Sequence, residues 1–302
     1  MAASDTPGGT GRLGTHTVAR VGYGAMQLER LSADRADAVA LLRHALDRGV
    51  DHLDTAQFYG DGFVNGVIAE VVRPGDGVTV VTKVGATPDS GGPLPLRAAQ
   101  RPEELRADVE ANLASLGTER LDVVNLRRLD VTPGILAEGD QIVDVDDQLA
   151  ALTALRDEGK IGAIGLSAVS LENLRRALPA GIVCVQNAYS LVGRDDEKLL
   201  GLCDEEGIAW VPFFPLGGAF ARLPKVVDEP AVRAAADALG ATPAQVGLAW
   251  LLHHSPGTLL IPGTADAAHL DDNLAAGALA LDAPTMAALD AVPSQETRFR
   301  LD

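Results

Sequence analysis

The chain has 302 residues and a formal net charge of −17, a surface that repels phosphate backbones and argues against a nucleic-acid partner. Hydrophobic residues make up 47% of it and charged residues 22%, which supplies a large core and a well-solvated exterior. No apolar run reaches the roughly 18 residues needed to span a bilayer, so no membrane partner is expected.

The opening MAASDTPGGTGR has no apolar run preceded by basic residues and so no signal-peptide pattern. Residues 1–16 read as a disordered leader and 17–302 as one domain. From there, short β-branched runs alternate with stretches of helical period. The predicted strands are 19–24, 51–55, 78–83, 121–126, 161–167, 181–187, 207–213 and 257–263. Helices are predicted at 34–48, 62–72, 102–116, 145–158, 170–178, 195–206, 243–254 and 266–276, with a further one at 284–291. Asp34 and Thr242-Pro243 mark helix starts, and Gly49, Gly117, Gly159 and Gly207 mark helix ends. Cys184 and Cys203 fall in apolar runs and read as small buried hydrophobes, which fits a reducing cytoplasm. The acidic surface favours a monomer.

Strands that each precede a helix build either a closed parallel barrel or a doubly wound open sheet. The count of eight favours the barrel, so the fold class is read as α/β, a (β/α)8 TIM barrel. Connections 84–101, 128–144 and 214–229 are longer than a barrel requires, and all follow strand ends, where barrel enzymes build their pockets. Leu94, Pro95, Leu96, Ile135 and Phe220 in these loops suggest an apolar wall.

Functional side chains gather at the same predicted strand ends: Asp54, Lys83, Arg127, Ser167, Gln186, Asn187, Phe213 and Thr264, with Tyr59 in the loop after Asp54. An Asp, a Tyr and a Lys on one mouth have a coherent use. A phenol is a poor acid at neutral pH, but a nearby ammonium stabilises the phenolate, and a carboxylate fixes the ammonium. The product is a proton donor for an oxygen gaining negative charge, as carbonyl reduction by hydride requires.

The segments LDTAQFYG (Leu53 to Gly60), VTKVG around Lys83, GKIGAIGLS (Gly159 to Ser167), VQNAYS (Val185 to Ser190), VPFFPLGG (Val211 to Gly218) and IPGTADAAHLDDN (Ile261 to Asn273) resemble the aldo-keto reductase family, in that family's order, from about residue 17 to 293. The resemblance implies that Tyr59 is the general acid, with Lys83 and Asp54 its tuning pair. It places Ser167 and Gln186 on the nicotinamide carboxamide, Phe213 on the nicotinamide face, and Leu216 and Gly218 in the loop over the pyrophosphate. Gly263, Thr264, His269, Asp272 and Asn273 fall where the family grips the adenosine end. The implied partner is a small-molecule carbonyl substrate, and the implied cofactor is NADPH, with NADH the alternative.

Three departures from the family pattern stand out. Arg127 occupies the place of the usual catalytic histidine. An arginine cannot shuttle a proton, but it can donate to a carbonyl oxygen or bind an anionic group bidentately. It can also simply pair with a carboxylate such as Asp130. Ala168 stands where the family has an asparagine, and Gly263 and His269 stand where many members carry lysine and arginine.

Other residues read as structural. His253-His254 ends a helix, where imidazolium suits the dipole, and no set of further ligands at metal spacing accompanies it, so no metal is expected. His52 reads as a satisfied core histidine. Gly22-Tyr23-Gly24 lacks the third glycine of a dinucleotide fingerprint, and GLSAV around Ser167 lacks the second glycine of a nucleophile elbow. Two alternatives to general carbonyl reduction stay open: a cofactor-binding sensor with little turnover, and a reductase of pyridoxal-like aldehydes in which Arg127 holds an anionic or phenolic group.

Overall fold

The computed structural model describes residues 6–89, 91, 95–218 and 223–298. Strands β1 (Tyr23–Gly24), β2 (His52–Asp54), β3 (Thr79–Val84), β4 (Leu121–Arg127), β5 (Ile161–Ser167), β6 (Ile182–Gln186) and β7 (Ala209–Trp210) lie side by side in chain order, all parallel. The segment 258–260 joins the two edges, bridging Trp210 on one side and Val21 on the other. Main-chain hydrogen bonds seal the seam: Gly22 N to Leu260 O (2.8 Å), Leu260 N to Arg20 O (2.7 Å) and Leu259 N to Trp210 O (2.8 Å). The sheet therefore closes on itself and leaves no edge to pair with another chain. The fold is the expected (β/α)8 barrel, although the eighth stave is shorter than the predicted 257–263, with Pro262 offering no amide donor.

The surrounding helices are α1 (Arg35–Asp47), α2 (Phe63–Val71), α3 (Pro102–Leu116), α4 (Val145–Asp157), α5 (Leu171–Ala177), α6 (Glu197–Glu206), α7 (Pro230–Leu239), α8 (Pro243–His254), α9 (Ala267–Ala275) and α10 (Ala283–Asp290). Asp34 caps α1 by accepting from Ala36 N, and Thr242 and Gln245 form a capping box on α8. The unpredicted helix is α7, an alanine-rich segment that buries Val232 and Ala236, with Ala231 and Ala235 packed against the core, beside α8. Among the described residues no helix is long and apolar enough to cross a membrane.

The outer core lies between sheet and helices and includes Leu126, Ile164, Leu166, Val185, Trp210 and Trp250, all fully buried. Each such aliphatic side chain contributes about 1.5–3 kcal/mol on burial. A second cluster fills the barrel itself: Leu13, Val18, Val81, Val123, Cys184, Ala209, Val211 and Leu259. One of these, Leu13, comes from the region expected to be a disordered leader, and Val18 follows just beyond it. Residues Thr10–Leu13 and His16–Ala19 instead form an antiparallel hairpin, with Gly14 turning at φ +60°. Leu13 and Val18 alternate inward and plug the N-terminal end of the staves, because an unfilled barrel interior would forfeit contacts on every side. Connection 84–101 likewise holds a hairpin, Ala86–Pro88 with Leu96–Ala98.

His52 corrects another expectation. It is a core histidine at 1% exposure, but neither ring nitrogen has a hydrogen-bond partner among the described residues. Its ring packs against Gly22, where a Cβ would come within 2.3 Å of it. The nearest carboxylate oxygen, on Asp51, stands 3.9 Å away, beyond hydrogen-bonding reach. An unsatisfied buried polar group costs about 1–3 kcal/mol, which the surrounding packing must offset.

Candidate active site

The C-terminal ends of β2, β3, β4 and β6 converge, and the side chains there form one polar centre. Asp54 is the last residue of β2 and is 4% exposed. Its Oδ1 accepts from Lys83 Nζ at 2.5 Å and its Oδ2 from Gln186 Nε2 at 2.7 Å. Lys83 is equally buried and also donates to the Thr55 carbonyl at 3.0 Å. Burial works against the Lys83 charge, but Asp54 and Tyr59 outweigh it and hold the pKa above the ordinary lysine value. The ammonium therefore stays protonated throughout the neutral range.

Tyr59 reaches this centre from the loop after β2. The chain then turns through Gly60, Asp61 and Gly62, all left-handed (φ +58°, +51° and +84°), into α2. Glycine and aspartate are among the residues that enter this region at least cost, and the GDG triplet is the sequence signal for the turn. Tyr59 is half-buried against the outer core, with the Lys83 ammonium 5.1 Å from its ring centroid. Phe58 packs edge-on against it, centroids 5.1 Å apart.

Arg127 ends β4, and its guanidinium carbon lies 5.9 Å from the Phe58 ring centroid. Burial lowers its pKa from the ordinary arginine value, while Tyr59 and Asp54 pull the other way; the group keeps its proton in any case. The ion pair with Asp130 belongs to Arg128 (2.9 Å), not to Arg127. Arg128 also donates to Gln148 and to the Val143 carbonyl. Gln148 Nε2 in turn donates to Gln100, whose own Nε2 donates to the carbonyls of Gly85 (2.6 Å) and Arg127 (2.7 Å). This chain of buried amides pins the long connections to the strand ends. It leaves the Arg127 side chain without a carboxylate in ion-pair range among the described residues, its Nε unpartnered.

The remaining predicted residues divide into two groups. Ser167, 2% exposed, ends β5 in register with Arg127. Gln186 stands beside it, Nε2 committed to Asp54 and Oε1 buried without a partner. Phe213 bridges Ala188 and packs edge-on to Phe214, while Leu216 lies half-buried against the outer core. Gly218 takes φ +69° beside the side chain of Lys225, which sequence reasoning missed. The second group is solvent-facing. Gly263, His269 and Asp272 are exposed, and Thr264 and Asn273 half-buried. Tyr23 fixes the loop by donating to the Thr264 carbonyl at 2.6 Å, and Asp266 caps α9 by accepting from His269 N. Of the expected apolar wall, Leu96 and Ile135 are half-buried; Leu94 and Phe220 lie outside the described residues.

A buried lysine–carboxylate pair beside a tyrosine, at the mouth of a closed barrel, suits proton donation to a developing alkoxide. The family model described as Aldo/keto reductase family matches residues 20–293. The chain belongs to the aldo/keto reductase family. It is 42% identical to pyridoxine 4-dehydrogenase of Escherichia coli (strain K12) over 287 residues, 93% of this chain and 96% of that protein. An aldo-keto reductase from Klebsiella pneumoniae in complex with NADPH superposes with a TM-score of 0.77 at 27% identity, covering 97% of this chain and 98% of that one. A structure from the same organism, in complex with NADP and acetate, has a TM-score of 0.77 at 29% identity over the same shares. This aldo/keto reductase is accordingly an oxidoreductase.

Proposed function

We propose that the enzyme reduces the aldehyde of a pyridoxal-type ring to the alcohol, and oxidises the alcohol in reverse, with NADPH as the cofactor. The observation that carries this reading is the Lys83 ammonium held between Asp54 and Tyr59 at the barrel mouth. The substrate class is taken from the Escherichia coli relative, named pyridoxine 4-dehydrogenase. The cofactor is taken from the NADPH and NADP complexes of the Klebsiella structures.

The residues fit such a cofactor. Gln186 Oε1, buried and unpartnered, offers an acceptor to a carboxamide, with Ser167 beside it. Phe213 would stack on the ring, and Leu216, Gly218 and Lys225 would cover the pyrophosphate. Gly263, Thr264, His269, Asp272 and Asn273 would take the adenosine end, where Asp266, Asp271 and Asp272 keep NADH in play as the alternative. When bound, a reduced nicotinamide supplies the hydride.

The chain's own residues handle the proton. Tyr59 donates its hydroxyl proton to the substrate oxygen as charge develops there, Lys83 supports the phenolate left behind, and Asp54 keeps the ammonium in place. Arg127 stands where a histidine is usual and donates to the same oxygen without giving up a proton. Tyr59→Phe should lower kcat by about 10²–10⁴-fold, with NADPH affinity measured by fluorescence titration unchanged. Full activity in that variant would sink the assignment. A cofactor sensor, by contrast, would bind NADPH but leave its near-ultraviolet absorbance constant in the presence of aldehydes.

A further inference from the structure

Proton donation alone does not account for Arg127. Lys83 is already neutralised by Asp54 at 2.5 Å. Arg127 has no such partner among the described residues, its neighbour Arg128 having taken Asp130, and its Nε is buried with nothing to donate to. A partly buried guanidinium without an anion is costly to maintain. A neutral aldehyde oxygen offers it only a dipole, since full charge arrives on that oxygen only as the reaction proceeds. The ground-state partner that suits Arg127 is an anionic oxygen on the substrate itself.

The shape of the group narrows that partner. A guanidinium presents parallel N–H bonds in a rigid fork and matches two oxygens side by side, where an ammonium would match one. Gly134, which takes φ +128°, lies beside the fork: a Cβ there would stand 3.7 Å from Arg127 Nη2, in ordinary van der Waals contact. Phe58 lies across the guanidinium and packs edge-on against Tyr59, so the surroundings are aromatic.

We infer that Arg127 is the specificity-determining residue, gripping both the aldehyde oxygen and an ionised hydroxyl on the neighbouring ring carbon, so that the substrate class is the ortho-hydroxyaryl aldehydes. This rests on the proposed aldehyde reduction and deepens it. The determinant is the adjacent oxyanion, and neither a ring nitrogen nor any further substituent is needed. The reaction balances as before: the carbonyl carbon gains the hydride from reduced nicotinamide, the carbonyl oxygen gains the Tyr59 proton, and the neighbouring oxyanion is unchanged.

The test is steady-state kinetics of the full chain with NADPH on 2-hydroxybenzaldehyde, 4-hydroxybenzaldehyde and benzaldehyde. The ortho isomer should exceed both others in kcat/KM by at least about tenfold. Arg127→Met should slow all three but remove the ortho preference, chiefly by raising KM for that isomer. Arg127→Lys keeps the charge, loses the fork, and should recover only a small part of it. A second readout needs no turnover: 2-hydroxybenzaldehyde bound to the NADP complex should show the absorbance of its ionised form at a pH where the free aldehyde is protonated, and should lose it in Arg127→Met. Equal kcat/KM for the ortho and para isomers, or a preference that survives in Arg127→Met, overturns the inference alone. Preference for phenylglyoxylate over the ortho aldehyde would reassign the fork to a carboxylate and overturn it too. No turnover on any aldehyde overturns the reductase reading along with it.

Discussion

The two ends of the proposed cofactor groove are built on opposite terms. At the nicotinamide end Asp54, Lys83 and Gln186 are 4%, 5% and 1% exposed, and each holds another in place. At the adenosine end Gly263, His269 and Asp272 face solvent, and the His269 ring stands 3.8 Å from the Asp266 carboxylate. Geometry at the first end is set by burial and is insensitive to salt. Charge at the second is negotiated through water, within the screening length of its acidic neighbours. Chemistry that needs fixed atoms belongs at the first end, and cofactor preference can be adjusted at the second without disturbing it.

The buried end depends most heavily on Lys83. Lys83→Met strands the Asp54 carboxylate in the barrel, and the expected loss is about 3–5 kcal/mol of stability by denaturant titration. Adding Asp54→Asn should recover most of it. A loss below about 1 kcal/mol would mean that this end is solvated after all. Ala168 offers a smaller gain at the same end. It is 3% exposed and sits at φ +48°, a left-handed conformation that asparagine enters at lower cost than alanine. Ala168→Asn should add about 0.5–1 kcal/mol, visible as a slightly raised Tm.

At the exposed end, His269→Arg should tighten NADPH about two- to fivefold at low salt, leave NADH unchanged, and lose that advantage at high salt. An advantage that persists at high salt would refute the claim of a solvent-screened end. The finest distinction is the sign of the pH response. Burial raises the Asp108 pKa from the ordinary 3.8 to about 6, although Gly85 N, just beyond Lys83, donates to it. Its folded form prefers the proton, so its contribution is greatest below about 3.8 and is lost as pH rises to about 6. Asp266 is the reverse. The hydrogen bond from His269 N lowers its pKa, so its stabilisation is present above the ordinary value and lost as pH falls. Asp108→Asn should therefore flatten the Tm profile between about 4 and 6 in the falling direction, and Asp266→Ala should not.

What was legible in the sequence follows from how local its causes are. The limits of α3, α8 and β5 come out to the residue because Pro102 and Gly117, the Thr242 capping box, and the apolar run after Gly159 are local signals. The N-terminal hairpin was not legible: its strands are only four residues each, and only the barrel they plug gives Leu13 and Val18 a reason to be ordered. Helix α7 escaped because alanine carries little apolar signal. Asp54, Tyr59 and Lys83 were legible as a set because strand ends in a barrel converge. Which arginine takes Asp130 was not, since Arg127 and Arg128 are adjacent and the choice is made by Gln148 and Gln100, distant in sequence.

The hairpin also orients the molecule for use. With Leu13 and Val18 corking the end of the barrel opposite Asp54 and Tyr59, the hairpin sits on the face farthest from the chemistry. A support attached through the hairpin would hold every molecule mouth-outward. Shortening the chain past Thr10 would instead uncork the barrel and admit water beneath Val81 and Val123, so a trimmed version should lose thermal tolerance before it loses its catalytic groups.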